Sequence, residues 1–166
     1  MSGTRMRTNI DFIVGEFARS LDERHRISLP NEMLDPLKAK DGQCILAKER
    51  PGCLSLWSKN GWQEKLDEGI ALVHGKIRAG KLEGRIHQVQ LLGRLLSTRH
   101  REVKIAARNR LLVPEGFREF LGVEPGGDVL VIGAAVCIEV WQPDAWLTYL
   151  NRRIPRFRQL FDKLSS

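Results

Sequence analysis

The sequence has little that could fix it by covalent or metal chemistry. Cys44, Cys53 and Cys137 are its only cysteines, an odd count with no CxxC pair. That pattern fits buried thiols in a reducing cytosol rather than a disulfide framework, with a single Cys44–Cys53 bridge left open. No apolar run approaches the roughly 20 residues needed to cross a bilayer, so no membrane role is expected. The opening stretch MSGTRMRTNIDFIVGEF has neither a long apolar block nor a small-residue cleavage site, which argues against a secretory signal. GxSxG, HExxH and a P-loop are also missing. EPGGD at 124–128 is a glycine-rich turn without a Walker lysine. His74, His87 and His100 lie 13 residues apart, roughly 3.6 helical turns, and so share no helix face.

What is present is charge, unevenly placed. The net charge is +7. Residues 76–110 carry 10 basic side chains against Glu83 and Glu102, whereas 111–150 carry only Arg118 against six acids. The tail 151–166 is basic again, with five cations against Asp162. Such one-sided segments suit a polyanion, because Lys and Arg displace the counterions condensed on phosphates. A solvated basic helix face is the competing reading.

The chain also repeats itself. A shift of 84 positions aligns 17–66 with 101–150 without a gap and pairs ten identical residues: Arg24/Arg108, Arg26/Arg110, Pro30/Pro114, Leu37/Leu121, Gly42/Gly126, Leu46/Leu130, Cys53/Cys137, Trp57/Trp141, Trp62/Trp146 and Leu66/Leu150. Two coincident pairs of Trp make chance a poor explanation. Each unit of about 50 residues is small for a core of its own, so the two halves should pack as one body.

The same local pattern recurs in both units. RISLP and RLLVP read as short strands ended by Pro. PEGFREFLG reads as a short helix stopped at Gly122, and Pro36 should shorten or distort its counterpart in the first half. CILAKERPGCLSLW and DVLVIGAAVCIEVW each read as a hairpin, split at Pro51-Gly52 and at Gly133. Helices should follow. Trp62, Leu66, Ile70, Val73 and Ile77 form one apolar stripe, and KLEGRIHQVQLLGRLL is a second helix weakened by Gly84 and Gly93. Asp144 is placed to cap the helix beginning AWLTYL. Pro155 opens a last helix striped by Phe157, Leu160, Phe161 and Leu164. Stripes in excess of a small core suggest that some pack against other subunits.

In the first copy the motif is Asp22-Glu23-Arg24-His25-Arg26 leading to Pro30, and in the second it is Ala106-Ala107-Arg108-Asn109-Arg110 leading to Pro114. Together with HQVQLLGRLL and IEVWQPDAW, these duplicated motifs resemble the MraZ family of bacterial transcriptional regulators, in which each half carries Asp-x-x-x-Arg before a strand and Pro. The resemblance runs from about Gly15 to Leu150. It implies an α+β chain with two tandem AbrB-like, swapped-hairpin β modules packed as one body, helices following each module. The expected divisions are an N-terminal extension at 1–14, modules at 15–66 and 99–150, a helical linker at 67–98 and a basic tail at 151–166. The resemblance further implies ring-shaped homo-oligomers bound to double-stranded DNA at direct promoter repeats near division and cell-wall genes, in a cytoplasmic, nucleoid-associated protein.

The departures are informative. Asp22 has no counterpart at Ala106, and the family glycine is His25 in one copy and Asn109 in the other. Both residues tolerate the left-handed backbone such a turn needs. Asp22, with His25 and Asn109, is therefore read as support for the turn, accepting backbone N–H groups and pairing with an arginine. Arg24, Arg26, Arg108 and Arg110 are the candidate DNA contacts, because guanidinium can bind phosphate or a guanine edge bidentately. Asp22, Glu23 and His25 could also suggest acid–base or metal chemistry, but the second copy has Ala106, Ala107 and Asn109 there. No enzyme, catalytic residue, metal or cofactor is expected. A purely structural ring, or an AbrB-like antitoxin or nucleoid binder, stays as the alternative, and whether the second module contacts DNA stays open.

Overall fold

The computed structural model describes residues 12–37 and 41–166. The expected N-terminal extension therefore falls, over 1–11, outside the described residues. The first half contributes β1 (Glu16–Ser20), β2 (Arg26–Ser28), α1 (Asn31–Leu34), β3 (Gln43–Arg50), β4 (Cys53–Ser58) and α2 (Lys59–Arg78). After α3 (Ile86–Arg99), the second half contributes β5 (His100–Lys104), β6 (Arg110–Leu112), α4 (Arg118–Leu121), β7 (Asp128–Gly133), β8 (Ile138–Trp141), α5 (Pro143–Arg153) and α6 (Phe157–Ser165). The 84-residue shift carries β1 onto β5 and β2 onto β6 residue for residue.

The sheet is antiparallel, six-stranded and ordered β1-β7-β8-β4-β3-β5. Each half's first strand lies against the other half's hairpin: β1 on β7, β5 on β3. At the centre the second strands of the two hairpins pair, with Leu54 opposite Val140 and Leu56 opposite Ile138. Strands β2 and β6 form a separate two-stranded ribbon. The physical reason is size. A unit of some 50 residues buries too little of its own surface to be stable, and interleaving gives both halves one core.

That core lies on the face of the sheet that meets the ribbon, α1 and α4. Ile27 and Leu111 of the ribbon, and Leu46, Leu54, Leu56, Val129, Val131 and Val140 of the sheet, are wholly buried in one cluster. On the opposite face Cys53 and Trp141 pack against Ala145, Trp146 and Tyr149 of α5. Alternation along β4 and β8 sends successive side chains to the two layers. All three cysteines are buried and none is in a disulfide, which closes the Cys44–Cys53 alternative. Burial pushes the Cys137 thiol up to about 12 and Cys53 further in the same direction, so neither is a ready nucleophile.

Three local expectations change. The second-half short helix begins at Arg118, four residues after Pro114, because 114–117 forms a hydrogen-bonded turn first, with Phe117 N–H donating to Pro114 O at 3.0 Å. Helix α1 ends before Pro36, as that ring demands, yet it is no shorter than α4, each being four residues. Asp144 does not cap α5. Gln142 occupies that position and Pro143, with its fixed φ, opens the helix, leaving Asp144 in the first turn, where its charge opposes the positive helix end. Helices α2 and α3 bury no residue fully.

Because Leu54 joins the two halves at the centre of the sheet, Leu54→Ala is expected to cost about 2–5 kcal/mol. A urea titration checks this, and an unchanged midpoint would contradict the central role of the β4–β8 pair.

Candidate nucleic-acid interface

The two motifs flank the ribbon and are bonded to each other's strands. His25 O accepts the Val113 N–H at 2.9 Å, and its repeat counterpart Asn109 O accepts the Leu29 N–H at 2.9 Å. The turns therefore sit at opposite ends of β2–β6, held by equivalent bonds. Within the ribbon Arg26 faces Leu112 and Ser28 faces Arg110. Since Ile27 and Leu111 point into the core, the period of two places Arg26, Ser28, Arg110 and Leu112 on the outward face. Arg24 and Arg108, in the turns themselves, are exposed.

The first turn is built on Asp22. Its Oδ1 accepts the N–H groups of Arg24 at 2.8 Å and Arg26 at 2.9 Å, and its Oδ2 accepts Arg26 Nε at 2.9 Å. His25 closes the turn by donating its N–H to Asp22 O at 3.0 Å and takes φ 60°. The bond from the Arg26 N–H, with those from the Arg24 N–H and the Arg26 side chain, holds the Asp22 carboxyl below its ordinary value near 3.8. Asp22 is thus a turn-former that also fixes one edge of the Arg26 guanidinium, as its spacing suggested.

The second turn reaches a similar shape without a carboxylate. Ala106 N–H donates to Arg110 O at 2.9 Å, matching the Asp22–Arg26 bond at 3.0 Å. Arg108 and Asn109 both take left-handed backbone, φ 64° and 57°. Two successive such residues make the tight turn by backbone alone, at a steric cost of about 1–2 kcal/mol for each non-glycine residue. Asn109 is further tied by its Nδ2 to Asn31 Oδ1 at 3.0 Å. Arg110 gains only a long bond, 3.4 Å, from Nε to Ala107 O. Among the described residues Arg26 alone of the four arginines has a carboxylate at ion-pair distance.

The structure thus brings Arg26 and Arg110 onto one ribbon face, with Arg24 and Arg108 in the flanking turns, and puts His25 and Asn109 at the residues that join the turns. Sequence reasoning missed Asn31, which carries no motif, and the left-handed backbone of Arg108, which a non-glycine residue does not advertise. It also missed Ser28 and Leu112, whose outward positions depend on the pairing of β2 with β6. Asp22, Glu23 and His25 form no metal cluster, and no group of three or more His, Cys, Asp or Glu comes together as one among the described residues. Among them too, no helix is long and apolar enough to cross a membrane.

The Asp22 network makes the first turn sensitive to acid. A depressed folded pKa means that its stabilisation is complete above the ordinary value and is lost as the pH falls through the lower folded one. In an NMR titration the Arg24 and Arg26 amides are expected to shift together below pH 4, with those of Arg108 and Arg110 unmoved. Asp22→Asn should remove the transition, and a transition that survives would assign it to another group.

The family model for MraZ protein matches residues 97–163, which hold the second turn, its strands and α5. Curated relatives extend the likeness across both halves. Three proteins named transcriptional regulator MraZ illustrate it. That of Heliobacterium modesticaldum is 26% identical over 152 residues, 91% of this chain and 95% of its own. That of Leifsonia xyli is 29% identical over 87% of this chain and 90% of its own. The Thermus thermophilus protein is 26% identical over 80% and 83%. With the second half matched by the family model and both halves by relatives of similar length, the chain is similar to MraZ proteins along most of its length.

Proposed function

We propose that the protein is a sequence-specific, DNA-binding transcriptional regulator that reads direct promoter repeats of division and cell-wall genes. It acts as a nucleoid-associated, ring-shaped homo-oligomer in the cytoplasm, and its chemistry is recognition rather than catalysis. The relatives' shared name supports the regulatory part. The observation that carries the DNA part is the ribbon β2–β6 with an arginine turn at each end. A two-stranded ribbon fits the roughly 12 Å major groove, and Arg26 and Arg110 on its outward face can reach base edges or phosphates. Arg24 and Arg108 extend the reach to flanking phosphates. The second module is included in this reading because its turn keeps its shape by backbone, leaving Arg108 and Arg110 without a carboxylate partner among the described residues. The interleaved halves are read as the AbrB-like swapped-hairpin arrangement closed within one chain. Repetition around a ring would give avidity for repeats of matching spacing.

The experiment is binding to a duplex with direct repeats, followed by anisotropy at several salt concentrations. Affinity should fall linearly on logarithmic axes as salt rises. Arg108→Ala is expected to flatten that slope by about 0.9 for each phosphate that the arginine had neutralised. Arg26→Ala should abolish specific binding while the assembly persists. Normal binding by Arg26→Ala would contradict the proposal, and salt-independent, sequence-independent behaviour would favour a purely structural ring.

A further inference from the structure

The apolar surface that the sheet leaves unused is concentrated on the helices. Helices α2 and α3 enclose a groove of about 410 Å³ lined by Leu66, Ile70, Val73, Ile77, Val89 and Leu92, with Gly69 and Gly93 in its walls. At the far end of the chain α6 presents Phe157, Leu160, Phe161 and Leu164, each between 55% and 75% exposed. Their spacing puts all four on one face. Contiguous apolar faces of this kind mark contact sites.

The internal duplication says what these faces lack. A shift of 84 residues carries Val73 and Ile77 of α2 onto Phe157 and Phe161 of α6. In the first half Val73 and Ile77 share their groove with Val89 and Leu92 of α3. In the second half Phe157 and Phe161 are each 59% exposed. The missing cover is thus a surface of the α2–α3 kind, and a second copy of the chain holds one. Dimensions agree. Helix α6 has nine residues, roughly 14 Å at 1.5 Å per residue, and the groove from Leu66 to Ile77 runs roughly 16 Å.

We infer that α6 of one copy seats in the α2–α3 groove of the next, making each junction of the assembly a three-helix bundle across two chains. The contact joins two different surfaces, so it propagates head to tail and closes into a ring where the rotation allows. The inference rests on the self-association in the reading above and is independent of DNA binding.

Two variants test it without threatening the fold. Phe157→Asp with Phe161→Asp spoils the α6 face, where no side chain is buried. Gly69→Leu with Gly93→Leu plugs the groove. A Cβ at either glycine meets nothing within 4 Å, and leaving glycine favours the helix. By native mass spectrometry the wild type should be a multimer and each variant alone a monomer of about 18.9 kDa. An equimolar mixture should recover one intact junction and appear as a heterodimer. A monomeric wild type would overturn this inference and the ring reading together. A multimeric wild type whose variants keep the same mass would overturn the inference alone, and so would a mixture that stays monomeric, since an intact α6 and an intact groove would then have failed to pair.

Discussion

The rest of the structure depends on the exchange of strands between the two halves. Strand β1 completes the second hairpin, β5 completes the first, and β4 pairs with β8 at the centre. Units of this size bury too little surface alone, so the duplication is also the solution to stability. The same exchange generates the candidate interface. Because β2 and β6 come from different halves, their pairing brings two motifs 84 residues apart to the ends of one ribbon.

The two turns show two ways of holding an arginine-bearing loop. In the first a carboxylate collects two backbone N–H groups and one guanidinium edge. In the second consecutive left-handed residues shape the backbone and no acid is used. The consequence is electrostatic as well as steric. Arg26 carries an ion pair at its edge, whereas Arg108 and Arg110 meet no acid at that distance among the described residues.

Much of this was legible in the sequence. The paired Trp and Pro residues exposed the duplication, and the Asp22–Arg26 spacing gave the turn. The replacement of glycine by His25 and Asn109 signalled left-handed backbone that both residues adopt. Less legible was everything that depends on pairing across the halves, since the register of β1 on β7 or β2 on β6 leaves no local pattern. Arg108 was hidden for a related reason, because its left-handed backbone is not one that arginine prefers. The apolar stripes were legible as packing surfaces, but not that α2, α3 and α6 leave them open within one chain. Charge mapped to the wrong resolution. Of the ten cations in 76–110, Lys76, Arg78, Lys81, Arg85, Arg94 and Arg99 fall on or between the helices, whereas Arg101, Lys104, Arg108 and Arg110 fall on β5, the second turn and β6.

That division leaves two basic surfaces competing for a polyanion, and the central claim is that the ribbon wins. Site-specific photocrosslinking to a duplex of direct repeats decides it, with the reactive group placed in turn at positions 24, 108 and 87. Crosslinks from 24 and 108, and none from His87 on α3, are the expected result. Crosslinks from position 87 with both turns silent would contradict it.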